Sequence, residues 1–331
     1  MTRSHPKYKW YDYALAPVGL VLMLIERIRN FKLLIILLIN LVFCALLLTH
    51  PSSGFYKVWE KDVIAHYEAA TIPDIRTYTD PPEKDSLRTV GYPLLLNLIM
   101  KADRWIFILL AFNCLMATWF FYVTEKLIGI RVWILFFLGL FTLYVPMILT
   151  DMLFAAIFVT AIWQIKRLWL HFTLLGVASL FNPALAWFFV IEPFVLYFNG
   201  YKSRKLLFAS LIIAFAVTSF NPIRNLINTG QWTHSTVMLY NIDHYFTGIG
   251  YFFKAFYYNA ILPHSHYIIG KWTDVLLIAV NVGLWGRFLV RMVQNKVNWG
   301  YVLILIYILG PTLFATPGPR KMLPIEWILL F

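Results

Sequence analysis

Between Phe31 and Thr316 the chain returns repeatedly to predominantly apolar runs of about 14 to 21 residues. An α-helix needs roughly 17–25 residues to cross a bilayer core of about 30 Å. Inside hydrocarbon each backbone N–H and C=O must be satisfied within its own segment, which selects helices. The spans read from the runs are Phe31–Leu48, Trp105–Val123, Val132–Leu149, Met152–Ile165, Leu168–Phe181, Ala184–Phe198, Leu206–Phe220, Thr273–Val293 and Trp299–Thr316. Two shorter runs flank them: Leu323–Phe331, and Ala14–Ile25, which is expected to lie in the interface. The fold class implied is an all-α polytopic membrane protein, a single transmembrane domain over residues 1–331 with about nine or ten spans. Composition agrees. Hydrophobic residues make up 60% and charged residues 13%, against about 45–50% and 25% in soluble domains. That surplus needs lipid as its solvent.

The loops set the orientation. With the N-terminus in the cytoplasm, the inside segments carry Lys126 and Arg131, Lys166 and Arg167, Lys202, Arg204 and Lys205, and Lys296, with few acids. Short basic inside loops are what the positive-inside rule requires. The net charge of +12 is therefore read as orientation and contact with anionic lipid headgroups, not nucleic acid. The assignment needs Gly91–Met100 not to cross; that run is expected as an external helix on the interface. No cleavable leader is expected, because the first long run follows a basic tail and no small-x-small site follows it. Cys44 and Cys114 both fall inside apolar runs and suggest neither a disulfide framework nor a metal site.

Two large segments then lie outside, residues 49–104 and 221–272. In the first, Trp59, Val63, Tyr67 and Ala70 recur at helical spacing, an apolar stripe expected to face the membrane. Asp62 and His66, four apart, share another face. Arg88 precedes Gly91-Tyr92-Pro93, a turn followed by a helix start. The second segment is dense in rings, among them Trp232, Tyr240, Tyr245, Tyr251 and Tyr257, which suit an interface belt or a lipid groove. Glu192 lies inside a span, where it is costly unless paired, and nearer the cytoplasmic end than the external one.

An acid shortly after the first span, then Tyr67, then Arg88-x-x-Gly91-Tyr92-Pro93, resembles the GT-C superfamily of membrane glycosyltransferases. The closest group by pattern is the protein O-mannosyltransferases and aminoarabinose (lipid A) transferases. Thr150-Asp151-Met152-Leu153 is similar to the family's second acidic position. Asn221-Pro222-Ile223-Arg224-Asn225 with Thr229-Gly230, and Pro319-Arg320-Lys321-Met322-Leu323-Pro324, resemble its two late basic elements. The matches keep the family's order along most of the chain. The chain departs from the pattern in having fewer helices and in its first acidic motif. That motif is often an adjacent pair of acids, but here it is Lys61-Asp62 with Glu60 one residue removed, so Glu60 and Asp62 both stand as candidate bases.

The resemblance implies transfer of a sugar from a polyprenyl-phosphate donor. Such a leaving group is already a stable anion, so the second carboxylate of a glycosidase is unnecessary. One general base on the acceptor hydroxyl suffices, with cations to stabilise the growing phosphate charge. The expected roles are Asp62 as base and Asp151 as second acid. Arg88, Arg224, Arg320 and Lys321 would bind the donor phosphate, and His66, Tyr67 and Tyr92 the substrate. Asp151 is alternatively the N-cap of a helix beginning at Met152. No cofactor is firmly implied; a divalent cation is one role open to Asp151, and to His264 and His266 at H-x-H spacing. The partners expected are membrane lipids, the donor, and a glycolipid or polysaccharide acceptor. The location expected is a bacterial-type inner or plasma membrane with the site on the external face. A flippase or other transporter, and an O-antigen-polymerase-type enzyme leaning on external arginines alone, are the competing expectations.

Overall fold

Long apolar stretches without internal Pro propagate as helix, and they do so here. The computed structural model describes residues 31–49, 70, 91–133, 145, 150–182, 192–193, 196–197, 203–230, 232, 249–261 and 271–294. Their elements are all helical: α1 (Lys32–Thr49), α2 (Gly91–Met100), α3 (Trp105–Ile128), α4 (Asp151–Trp163), α5 (Leu168–Ser179), α6 (Arg204–Thr218), α7 (Phe220–Thr229), α8 (Ile249–Phe256) and α9 (Lys271–Gln294), with a 3-10 turn over Gly129–Arg131 and a π turn over Tyr257–Ile261. Among the described residues, three helices are long and apolar enough to cross a membrane: Trp105–Arg131, Leu207–Ile227 and Val275–Gln294. At 13 and 12 residues, α4 and α5 extend only about 20 and 18 Å. The expected spans Val132–Leu149, Ala184–Phe198 and Trp299–Thr316, and the run Leu323–Phe331, lie wholly or mostly outside the described residues.

α3 shows how these helices are suited to lipid. Leu110, Cys114, Ala117, Phe121 and Thr124 form a buried stripe at helical spacing, while Ile106, Phe107, Ile108, Leu115 and Trp119 are exposed. A helix that is apolar on every side is either fully buried or in a membrane, and α3 is not fully buried.

Side-chain contacts fix the helix directions. α1 runs antiparallel to α3, with Lys32 Nζ 2.5 Å from Glu125 Oε1 at one end and Cys44 beside Cys114 towards the other. α4 runs parallel to α3: Trp119 Nε1 donates to Thr160 Oγ1 at 2.9 Å, and one turn on Tyr122 meets Trp163 edge-on. A tight turn over Gln164–Arg167 reverses the chain into α5. α6 lies parallel to α5, their C-terminal ends joined by Ser179 Oγ and Thr218 Oγ1, 3.1 Å apart. Gly176 permits that approach, because a Cβ there would sit 3.1 Å from Val217 Cβ.

The bundle therefore has two chemically different ends. Lys32, Lys126, Arg131, Lys166, Arg167, Arg204 and Lys205 gather at one, with Glu125. The starts of α2, α3 and α4 and the C-terminal ends of α5 and α6 gather at the other. Antiparallel packing of α1 and α3 is the arrangement that a non-crossing Gly91–Met100 requires. That segment is a ten-residue helix with Tyr92, Pro93 and Leu96 buried.

Candidate functional site

The candidate site is the end opposite the basic cluster. α2 begins there with a close backbone contact, Gly91 N–H donating to Leu180 O at 3.0 Å just past α5. A Cβ on residue 91 would lie 2.7 Å from that carbonyl oxygen and 3.1 Å from the Phe181 ring. Only glycine fits without moving backbone. Gly91→Ala is accordingly expected to cost about 1–3 kcal/mol, the usual range for overpacking, read as a lowered midpoint of unfolding in detergent. An unchanged midpoint would mean that α2 is not docked on α5.

Docking α2 buries Tyr92 completely, in a cluster with Ala70, Leu96, Leu109 and Leu153. Burial pushes the Tyr92 phenol well above its usual range, and the nearby Asp151 carboxylate pushes it further. Tyr92 is thus held as a neutral hydroxyl beside an acid. The structure brings together two residues 59 positions apart (151 − 92 = 59) that were singled out for separate motifs. Asp151 is the first residue of α4, and the N-cap is Thr150, which makes no side-chain cap bond. The N-cap expectation for Asp151 is corrected accordingly: Asp151 stands in the first turn, where the helix dipole favours an anion.

Ala70 was expected at the lower edge of a membrane-facing stripe. It is instead buried against α2, α3 and α4, and its carbonyl accepts from Asn97 Nδ2 at 2.7 Å. Ala70 therefore belongs to this site. Asp62, Glu60, His66, Tyr67, Arg88, His264, His266, Arg320 and Lys321 lie outside the described residues.

α7 extends the same end of the bundle. Residues 221–229 were expected to open an external loop; they form a helix that continues α6 after Ser219. Its amphipathicity is inverted. Phe220, Ile223, Leu226 and Ile227 are exposed, whereas Asn221, Arg224 and Asn225 are 1%, 7% and 1% exposed. Arg224 Nη1 donates to Asn225 Oδ1 at 3.0 Å. A water-soluble helix turns its polar face outward; this one turns it inward, as suits an element with lipid outside and a polar interior. Gly230, with φ +72°, ends it, and its N–H donates to Leu226 O. Thr218, Ser219 and Ser179 continue the buried polar lining.

A second polar centre sits near the basic end. His171 and Glu192 are both fully buried, with Nε2 and Oε1 2.8 Å apart. His171 Nδ1 lies 2.7 Å from Ala161 O. A carbonyl only accepts, so Nδ1 carries a hydrogen and donates it. One further proton then lies between Nε2 and Oε1, and the pair is net neutral wherever that proton sits. Glu192 Oε2 is buried with no partner among the described residues. Sequence reasoning recognised that Glu192 needed a partner but missed His171, 21 residues away on another helix. Among the described residues, no three His, Cys, Asp or Glu side chains form a metal-binding group.

Comparison with protein-family models, with curated proteins and with solved structures returns no match.

Proposed function

We propose that the chain is a GT-C-type membrane glycosyltransferase. In this reading it moves a sugar from a polyprenyl-phosphate donor to a glycolipid or polysaccharide acceptor, with inversion, at the external face of a polytopic membrane domain. The observation that supports this is the buried guanidinium of Arg224 on the inward face of an inverted helix, at the same end of the bundle as Asp151 and Tyr92. A lipid-linked phosphate sugar is itself divided, apolar along its tail and anionic at its head. α7 matches that division, with Phe220, Ile223, Leu226 and Ile227 toward lipid and Arg224 inside. Sidedness follows from the basic residues at the other end, which the positive-inside rule puts in the cytoplasm.

The chemistry needs little from the protein. The acceptor oxygen attacks the anomeric carbon and loses its proton to the Asp62 carboxylate. The bond from that carbon to the phosphate oxygen breaks, and its electron pair stays on the phosphate. Arg224 stabilises that charge, with Arg88, Arg320 and Lys321 as further cations. Direct attack inverts the anomeric centre. Asp151, beside the neutral Tyr92 hydroxyl, holds the acceptor.

The test uses the full chain in proteoliposomes with a panel of polyprenyl-phosphate hexoses and pentoses carrying labelled sugar. Wild type is expected to transfer label from one of them to an extractable glycolipid or polysaccharide. Arg224→Ala should lower kcat by about 10²–10³-fold, the usual loss for one donor to a developing anion. Arg224→Lys should keep part of the rate, because the charge remains and only the bidentate geometry goes. If wild type transfers label from no member of the panel, the reading fails.

A flippase is the second reading, and the buried His171–Glu192 pair favours it, since ionisable residues inside membrane helices often mark transport paths. It predicts that the donor crosses the bilayer with its sugar–phosphate bond intact.

A further inference from the structure

The chain has two cysteines, and the fold brings them together. Cys44 on α1 and Cys114 on α3 are both buried, and their Sγ atoms are 3.8 Å apart. The contact belongs to a regular seam. Lys32, Ile36, Asn40 and Cys44 recur every four residues along α1, one ridge of a helix. Ile36 and Asn40 are fully buried and Cys44 nearly so, while Leu34, Leu38 and Val42 on the other faces are exposed. The antiparallel register that pairs Lys32 with Glu125 brings Cys44 to Cys114, with Ile36, Ala117 and Phe121 packed between them. Midway, Asn40 is buried with neither Oδ1 nor Nδ2 partnered among the described residues, a cost that weakens the seam.

We propose that Cys44 and Cys114 form a paired oxidation site, a dithiol that a membrane-permeant two-electron oxidant of the azodicarboxamide class converts to an interhelical disulfide. Each sulfur gives up its hydrogen and the S–S bond forms. The two protons and two electrons released reduce the oxidant's N=N bond to HN–NH. The sulfurs close from 3.8 Å to about 2.05 Å, a movement on the scale of a side-chain torsion. Burial withholds the pair from oxidants confined to water, so the agent has to enter the hydrocarbon. The bond would close a ring holding all of residues 49–104, joining the two roots of the segment that contains Asp62, Arg88 and Tyr92. It would also fix α1 to the rest of the bundle.

The test treats the purified full chain in detergent micelles with azodicarboxamide. The protein is then denatured in SDS and its remaining thiols are labelled with a polyethylene-glycol maleimide. Wild type is expected to go from two labels to none while staying monomeric, and dithiothreitol should restore both. Its intact mass should fall by two hydrogens, a readout that needs no substitution. A register control, Cys44→Ser with Ala45→Cys, moves the thiol to an exposed face of α1. It should lose its labels at least about tenfold more slowly, because cysteines whose Cβ vectors point apart cannot be bridged without backbone movement. Two full labels on oxidised wild type, or equal rates for the control, would overturn the proposal.

Discussion

Asp62→Asn should lower sugar transfer by about 10²–10⁴-fold while leaving donor binding intact, because the substitution removes a general base and little else. The side chain stays polar and similar in size, so the loss should appear in kcat and not in KM. The measurement is label transfer in proteoliposomes at saturating donor, beside a binding assay with the same donor. The outcome also decides between two neighbouring acids. If Asp62→Asn transfers normally and Glu60→Gln does not, the base is Glu60 and the mechanism stands. If both transfer normally, the base-catalysed route is wrong. A phosphate leaving group driven by arginines alone would then remain, which is the polymerase-type expectation.

The largest effect on stability is expected at the buried pair near the basic end. His171→Ala leaves Glu192 enclosed with neither oxygen paired, and breaking a buried pair in this way typically costs about 3–5 kcal/mol. Glu192→Gln should cost far less. His171 Nδ1 keeps its bond to Ala161 O, and the Gln amide can donate to Nε2, so no charge is stranded. The double variant His171→Phe, Glu192→Leu should lie near wild type, because apolar residues of similar volume often replace a buried ion pair without loss. Unfolding by SDS titration in mixed micelles reads all three. Equal losses for the single Ala variant and the double variant would show that packing, not the shared proton, is what these residues supply.

Spans were legible in the sequence wherever composition changes abruptly. α3 was expected to start at Trp105 and does so, running on to Ile128 because Thr124, Glu125 and Lys126 are no obstacle to a helix. α2 was expected over Gly91–Met100, since Gly and Pro mark its start and Lys101 its end. α7 was missed for an instructive reason. Asn221-Pro222 reads as a turn, yet Pro222 occupies the first helical turn, where its missing N–H costs nothing. The apolar residues at 220, 223, 226 and 227 have helical period, but they face outward, so the rule that polar means exposed placed the segment in a loop. His171–Glu192 and Cys44–Cys114 were illegible on different grounds. Each joins two helices across a long stretch of chain, and no local pattern announces its partner. Of the expected site residues, Tyr92 and Asp151 come together, and Arg224 lies at the same end of the bundle. Which residues share an end follows from helix directions, and those were readable. Which side chains touch depends on packing, and that was not.

The inverted face of α7 has a consequence for how the protein is made. Ten residues with Asn221, Arg224 and Asn225 on one face cannot partition into lipid alone; a central Arg by itself costs about 2.5–3.5 kcal/mol on insertion scales. α7 escapes this because it is fused to α6, and the two form one span over Leu207–Ile227. Its polar face also arrives late. The chain emerges N-terminus first, so α3, α4 and α5 have been synthesised before residue 220 leaves the ribosome. The apolar helices α3, α4 and α5 are thus made before the polar face of α7, and that face enters the membrane only as part of a longer apolar span.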